Sequence, residues 1–230
     1  MADDDNIDFY PNSCWGCCCK RKRFALTHQE IESLQFLRLK SRVKFDVTNT
    51  LHQEELKALW NLSFENPPEL ITDQWVTIGF QGPDPSTDFR GGGLYSLQQL
   101  IFFAKNFPEK YIVYKNAEYS FAICSVNLTY FFLYYFQLLP KKALGTSDCR
   151  RAPPHIMKVF ARLNAQDQST LDEIHSIAAM KMHEKWQEMK QKPGITVMNF
   201  MQALVFSTFF IENLLSHNPG SLFDLKRLSV

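Results

Sequence analysis

Apolar residues along this chain recur mainly at the three- and four-residue spacing of a helix face. From His28, the positions Ile31, Leu34 and Leu37, widened by Phe36 and Leu39, predict a first helix to about Val43. Thr50 and Gln53 stand at capping-box spacing ahead of the stripe Leu51, Leu56, Leu59, Trp60 and Phe64, which Pro67 and Pro68 end. Leu94, Leu97, Leu100, Ile101 and Phe103 predict a helix closing near Phe107 and Pro108. Ser169 with Asp172 offers a second capping signature, after which Leu171, Ile174, Ala178, Met182, Trp186 and Met189 keep one face apolar as far as Pro193 and Gly194. Thr196 then opens a strongly apolar helix through Phe200, Leu204, Val205, Phe209 and Leu214, with Glu212 its one charge.

Residues 119–139 form a run of 21 without a charge, the length at which a membrane span has to be considered. Ser120, Ser125, Asn127, Thr129 and Gln137 lie inside it, and lipid would leave the amides of Asn127 and Gln137 without partners. A buried central helix is the favoured reading, with an integral membrane protein as its rival.

Composition agrees with a helical body. The chain has 230 residues, 45% hydrophobic, with 20 Phe but only 9 Gly for the tight turns that a sandwich or barrel needs. The fold expected is all-α, a single helical domain over 25–216, with a disordered N-terminal tail over 1–24 and a mobile C-terminal tail over 217–230. A net charge of +1 argues against a domain-wide nucleic-acid surface, so no nucleic-acid partner is expected.

Candidate chemistry concentrates in residues 75–94, WVTIGFQGPDPSTDFRGGGL, which read as a structured loop leading into a helix. Arg90 precedes Gly91, Gly92 and Gly93, whose bare backbone would let another surface approach. Pro83 and Pro85 stiffen the loop, and Asp84 and Asp88 are near enough in sequence to hold the guanidinium in a bidentate pair. A rigidly displayed arginine suits stabilisation of charge on phosphate oxygens during phosphoryl transfer. The plainer reading is an arginine that merely pairs with Asp84 or Asp88, with the glycines capping the helix from Leu94.

The pattern Trp75, Ile78, Gly79, Phe80, Gln81, Gly82, Pro85, Thr87, Asp88, Phe89, Arg90, Gly91 and Leu94 resembles the signature of ELMO-domain proteins. The resemblance continues through residues 97–108 and more loosely over about 47–217. It implies a GTPase-activating protein for a small GTPase of the Arf or Arf-like family, because family members that retain the arginine have that activity. Arg90 would be the essential catalytic residue, and Gly79, Phe80, Gln81, Gly82, Thr87, Asp88 and Gly91 would shape its loop. The protein would turn over no substrate and hold no cofactor of its own; GTP and magnesium would belong to the partner. The alternative is a non-catalytic ELMO-type scaffold that recruits GTPases or their regulators to a membrane.

Outside the loop, Cys14, Cys17, Cys18 and Cys19 crowd beside the basic run Lys20, Arg21, Lys22 and Arg23, a plausible S-acylation site that would bring the tail to a membrane surface. Unmodified thiols and a zinc site remain alternatives, the latter lacking its second Cys pair, and no metal is expected. The crowded cysteines, the absence of a secretory signal and an Ala2 that cannot be myristoylated together suggest a cytoplasmic protein, peripheral on the cytosolic face of a membrane. His175 and His183 read as ordinary surface or rim residues, and the Arg150–Arg151 stretch before Pro153 and Pro154 as a polar connection. No GxxxxGK[ST] or GxSxG motif occurs.

Overall fold

The computed structural model describes residues 25–139 and 150–230. Among them the regular structure is entirely helical: α1 (His28–Ser41), α2 (Thr50–Ser63), a short α3 (Gln74–Thr77), a 3-10 helix (Pro85–Arg90), α4 (Gly93–Asn106), α5 (Pro108–Lys115), α6 (Phe121–Tyr135), α7 (Pro154–Gln166), α8 (Thr170–Met189), a 3-10 turn (Val197–Asn199), α9 (Phe200–Ser216) and α10 (Leu222–Leu228). The expected all-α architecture is therefore the observed one.

Helix α4 is the hub. Leu94, Tyr95, Leu97, Leu100, Ile101 and Phe103 are all buried, on more than one face, because α1, α2, α6 and α8 pack around it. The most extensive pairing joins α8 and α9. α1 starts with a capping box, Thr27 Oγ1 accepting from Glu30 N at 3.3 Å and Glu30 Oε2 from Thr27 N at 2.6 Å. Glu30 also receives Lys158 of α7 at 2.5 Å, which ties the first helix across the bundle. Burial works to raise the Glu30 pKa, but Lys158 and Thr27 outweigh it and hold the carboxyl below its ordinary value.

A polar network runs through the middle. Tyr95 donates to Asp172 at 2.7 Å, Gln99 to the same carboxylate at 3.3 Å, and Thr129 to Gln99 Oε1 at 2.8 Å, linking α4, α6 and α8. His175 Nε2 lies 3.0 Å from the Ser125 carbonyl. His175 is fully buried rather than a rim residue, and desolvation, against that backbone bond, pushes its pKa down to about 4, so the ring is neutral.

Several expectations change. The uncharged run 119–139 holds a helix of 15 residues, too short to cross a bilayer, with Ser125 and Thr129 buried in the network. Among the described residues, the helix long and apolar enough to span, by length and composition, is instead Val197–Ser216, and its inner face is packed in the protein. Phe36 and Leu39, expected to widen the buried face of α1, are 54% and 70% exposed. Asn49, not Thr50, caps α2 through Leu51 N, and Ser169 makes no side-chain cap: its N–H and hydroxyl both donate to Asp167 Oδ1, while Asp172 is engaged with Tyr95 and Gln99. Segment 217–230, expected as a mobile tail, contains α10, whose Leu225 is completely buried and whose Lys226 pairs with Glu173 of α8. The expected tail over 1–24 lies outside the described residues.

Candidate functional site

Residues 75–94 turn every large apolar side chain of the segment inward except Val76. Trp75, Ile78, Phe80, Pro85, Phe89 and Leu94 are buried. Their rings continue a chain that starts on α2: Trp60 to Trp75 at 5.0 Å, Trp75 to Phe80 at 5.6 Å, Phe80 to Phe89 at 5.7 Å and Phe89 to Phe45 at 5.1 Å, three of these contacts edge-on. Such pairs add about 0.5–1.5 kcal/mol each beyond the area they bury. The Trp75 indole N–H also donates to the Glu69 carbonyl at 3.1 Å. The loop is thereby fixed from beneath by dry packing.

Its backbone is fixed as well. Ser120 gives α6 no side-chain cap; the carbonyls of Ile78 and Gly79 accept instead from Ala122 N and Ile123 N, both at 3.2 Å. Gly79 is required there, since its φ is +97° and a Cβ would stand 2.5 Å from Phe121 N. At the other end Leu94 N donates to the Val43 carbonyl at 2.9 Å, and Gly93, with φ +59°, leaves no room for a Cβ against that same carbonyl.

The polar side chains organise the outer surface. Asp84 caps the 3-10 helix through Ser86 N at 3.0 Å, with Pro85 in its first turn. Asp88 accepts from Gln81 N at 3.0 Å across the loop. Burial lifts the Asp88 pKa above its ordinary value, while the Gln81 N–H and the Arg90 charge pull the other way. Thr87 Oγ1 donates to the Asp84 carbonyl at 3.0 Å, and the Thr87 carbonyl accepts from Arg90 Nε at 2.7 Å.

Two parts of the sequence reading are corrected by this geometry. Asp84 and Asp88 do not clamp the guanidinium: each turns one carboxylate oxygen to a loop N–H, and among the described residues Arg90 makes no ion pair. The three glycines after Arg90 are not a bare landing strip for another surface either. A Cβ at Gly91 would meet the Tyr130 ring at 3.3 Å, and one at Gly92 would collide with Ser96, so these residues let the loop close on α6 and α4. Gly82 stands in open space, the one glycine of the motif whose Cβ position is free.

Arg90, Gln81, Thr87 and Gly91 are exposed, Gly82 and Asp88 are partly so, and Gly79 and Phe80 are buried. What emerges is a single exposed guanidinium whose Nε is held by its own loop. Its two terminal nitrogens are left to present a planar pair of donors, the geometry that matches a phosphate or carboxylate. Phe45, Tyr130 and Ser120 complete the frame; nothing in the motif signals them, because they come from remote segments. Among the described residues no group of His, Cys, Asp or Glu is arranged to hold a metal ion. Cys124 is buried, and burial pushes its thiol up to about 12. Cys14, Cys17, Cys18 and Cys19 lie outside the described residues.

Fold and loop together define a class of protein: an all-helical domain that displays one arginine from an aromatic-pinned turn. The ELMO/CED-12 family model matches residues 35–204. The chain is 40% identical to the human protein called ELMO domain-containing protein 2 over 93 residues, 37% of this chain and 32% of that protein. It is 35% identical to mouse ELMO domain-containing protein 1 over 152 residues, 53% of this chain and 46% of the relative, and 29% identical to ELMO domain-containing protein B of Dictyostelium discoideum over 160 residues, 66% and 51%. No solved structure matches. The chain belongs to the ELMO/CED-12 family, and these alignments cover about a third to a half of the relatives' own length.

Proposed function

We propose that this chain is a GTPase-activating protein for a small GTPase of the Arf or Arf-like family, inserting Arg90 into the partner's nucleotide site. The observation that carries the reading is an exposed guanidinium with no ion-pair partner among the described residues, on a loop held by buried rings and by its own carbonyl. In this reading GTP and magnesium belong to the partner, and the chain supplies only positive charge where it develops on the transferring phosphoryl group. Such an arginine contributes about 10³–10⁵ in rate, equivalent to roughly 4–7 kcal/mol of barrier. Fixing Arg90 Nε on Thr87 lowers the entropy lost on docking, which favours the transition state over a loosely held side chain. Acylation of Cys14, Cys17, Cys18 and Cys19, with the adjoining basic run, would hold the domain peripherally on the cytosolic face of a membrane, where lipidated GTPases reside.

The test is single-turnover GTP hydrolysis by a panel of Arf and Arf-like GTPases with and without the purified protein. Stimulation of at least one panel member is expected, and Arg90→Lys should remove it without changing the circular dichroism spectrum. Equal stimulation by wild type and Arg90→Lys would refute the role of Arg90. Partner binding with no change in hydrolysis would replace it with the scaffold reading.

A further inference from the structure

The connection between α1 and α2, residues 43–48, lies against the arginine loop. Its Val43 carbonyl takes the Leu94 N–H, and a Cβ at Gly93 would stand 2.3 Å from that oxygen and 3.5 Å from the Cα of Lys44. The Phe45 ring meets that of Phe89, the neighbour of Arg90, at 5.1 Å. This strip is set as firmly as the loop. Asp46 N donates to His52 Nδ1 at 3.0 Å, and the Asp46 carboxylate turns back on the strip, accepting from Thr48 N at 2.8 Å and Thr48 Oγ1 at 2.7 Å. Gln53 Nε2 donates to the Val47 carbonyl at 2.6 Å. Beside this closed polar turn the strip shows solvent Val43, 42% exposed, Val47, 53% exposed, and Lys44, an exposed cation that makes no ion pair among the described residues.

An interface of ordinary size centred on Arg90 extends over this strip. Such an interface takes about 800 Å² from each partner, a disc of roughly 16 Å radius. Consecutive Cα atoms are about 3.8 Å apart, so Gly93 is no more than about 11 Å from Arg90, and Val43 and Lys44 touch Gly93. The chemistry fits as the position does. A guanidinium stabilises charge on a phosphoryl group most where water is excluded, yet the large apolar side chains of the loop, Val76 apart, face the core. Val43 and Val47 supply the outward apolar surface that the loop lacks. Lys44 adds a second cation, suited to a carboxylate at the rim of a partner's nucleotide pocket.

We propose, resting on the GTPase reading above, that Val43, Lys44 and Val47 form the docking flank of the arginine loop. The two valines pack on an apolar patch beside the GTPase's nucleotide site, and Lys44 faces an acidic side chain there. The flank governs how tightly the GTPase is held, and Arg90 how fast the held GTPase hydrolyses. The experiment follows single-turnover hydrolysis by the GTPase panel across a range of concentrations of the full-length protein, and in parallel the binding of each GTPase loaded with a non-hydrolysable GTP analogue. Val43→Ser/Val47→Ser should raise the half-saturating concentration and weaken binding about tenfold. Lys44→Glu should act in the same direction and flatten the salt dependence. Both should keep the wild-type rate at saturation and the wild-type melt, since these side chains are exposed. Arg90→Lys should do the reverse, losing the rate and keeping the binding. Phe209→Ser, on the outer face of α9, should change neither. Flank variants with wild-type half-saturation and binding, beside an inactive Arg90→Lys, overturn the inference and leave the GTPase reading standing; so does weakening in Phe209→Ser instead of in them. If a GTPase binds without being stimulated, the same comparison of binding decides. If no panel member binds or responds to wild type, the GTPase reading falls and the flank with it.

Discussion

The arginine loop and α9 present opposite surfaces on the same kind of foundation. Both rest on dry aromatic packing, Phe80 on Trp75 and Phe89 in one case, Phe200 on Tyr119 and Trp186 in the other. Over that base the loop shows solvent Gln81, Thr87 and Arg90, whereas α9 shows it Met201, Val205 and Phe209. Inner packing therefore sets the position of each surface without setting its chemistry. A lone exposed cation suits a phosphate, and exposed apolar side chains suit another apolar surface.

The largest expected effect falls on the loop. Arg90→Ala should lose about 10³–10⁵ of any GTPase stimulation while melting with wild type, since Arg90 makes no ion pair among the described residues; a large loss of melting temperature would show that it is a structural residue instead. Next comes the same residue type in the two regions. Phe80→Ala should cost about 3–5 kcal/mol of stability by urea titration, and Phe209→Ser no more than about 0.5 kcal/mol. Comparable costs would erase the contrast between inward and outward rings. Gly79→Ala should cost about 1–3 kcal/mol through its left-handed backbone and the crowding at Phe121, and an unchanged melt would mean that the loop does not hold the start of α6 as described.

The smallest effect concerns the buried network behind both regions. His175 stays neutral in the fold down to about pH 4, whereas an unfolded histidine takes up its proton from near pH 6.5. The unfolded chain binds more protons in that window, so stability falls as pH falls, by up to about 1.4 kcal/mol per pH unit. His175→Gln should flatten that slope in melts across the window, and an unaltered slope would assign the titration to another group.

Much of the fold was legible wherever an apolar stripe was long, as in α2, α4 and α8. Among the helices that escaped, α5 and α7 both begin with a proline: Pro108 was read as an ending and Pro154 as part of a polar connection, although proline fits the first turn, where no N–H is needed, and α10 was taken for a tail. The arginine loop was legible because its identities are unusual and contiguous. The work of Gly91, Gly92 and Gly93 was not, because the atoms they make room for belong to Tyr130, Ser96 and Val43, two of them far along the chain. The outer face of α9 escaped for another reason: in a helix apolar on all sides, periodicity cannot say which residues are covered.

The carbonyls of Ile78 and Gly79, bonded to the first turn of α6, make the signature segment a part that cannot be lifted out. A synthetic peptide copying residues 75–94 would carry the right letters and none of the tension that holds them, lacking Trp60, Phe45 and the helix start at Phe121. Grafting this arginine into another scaffold means transplanting the joint beneath it as well.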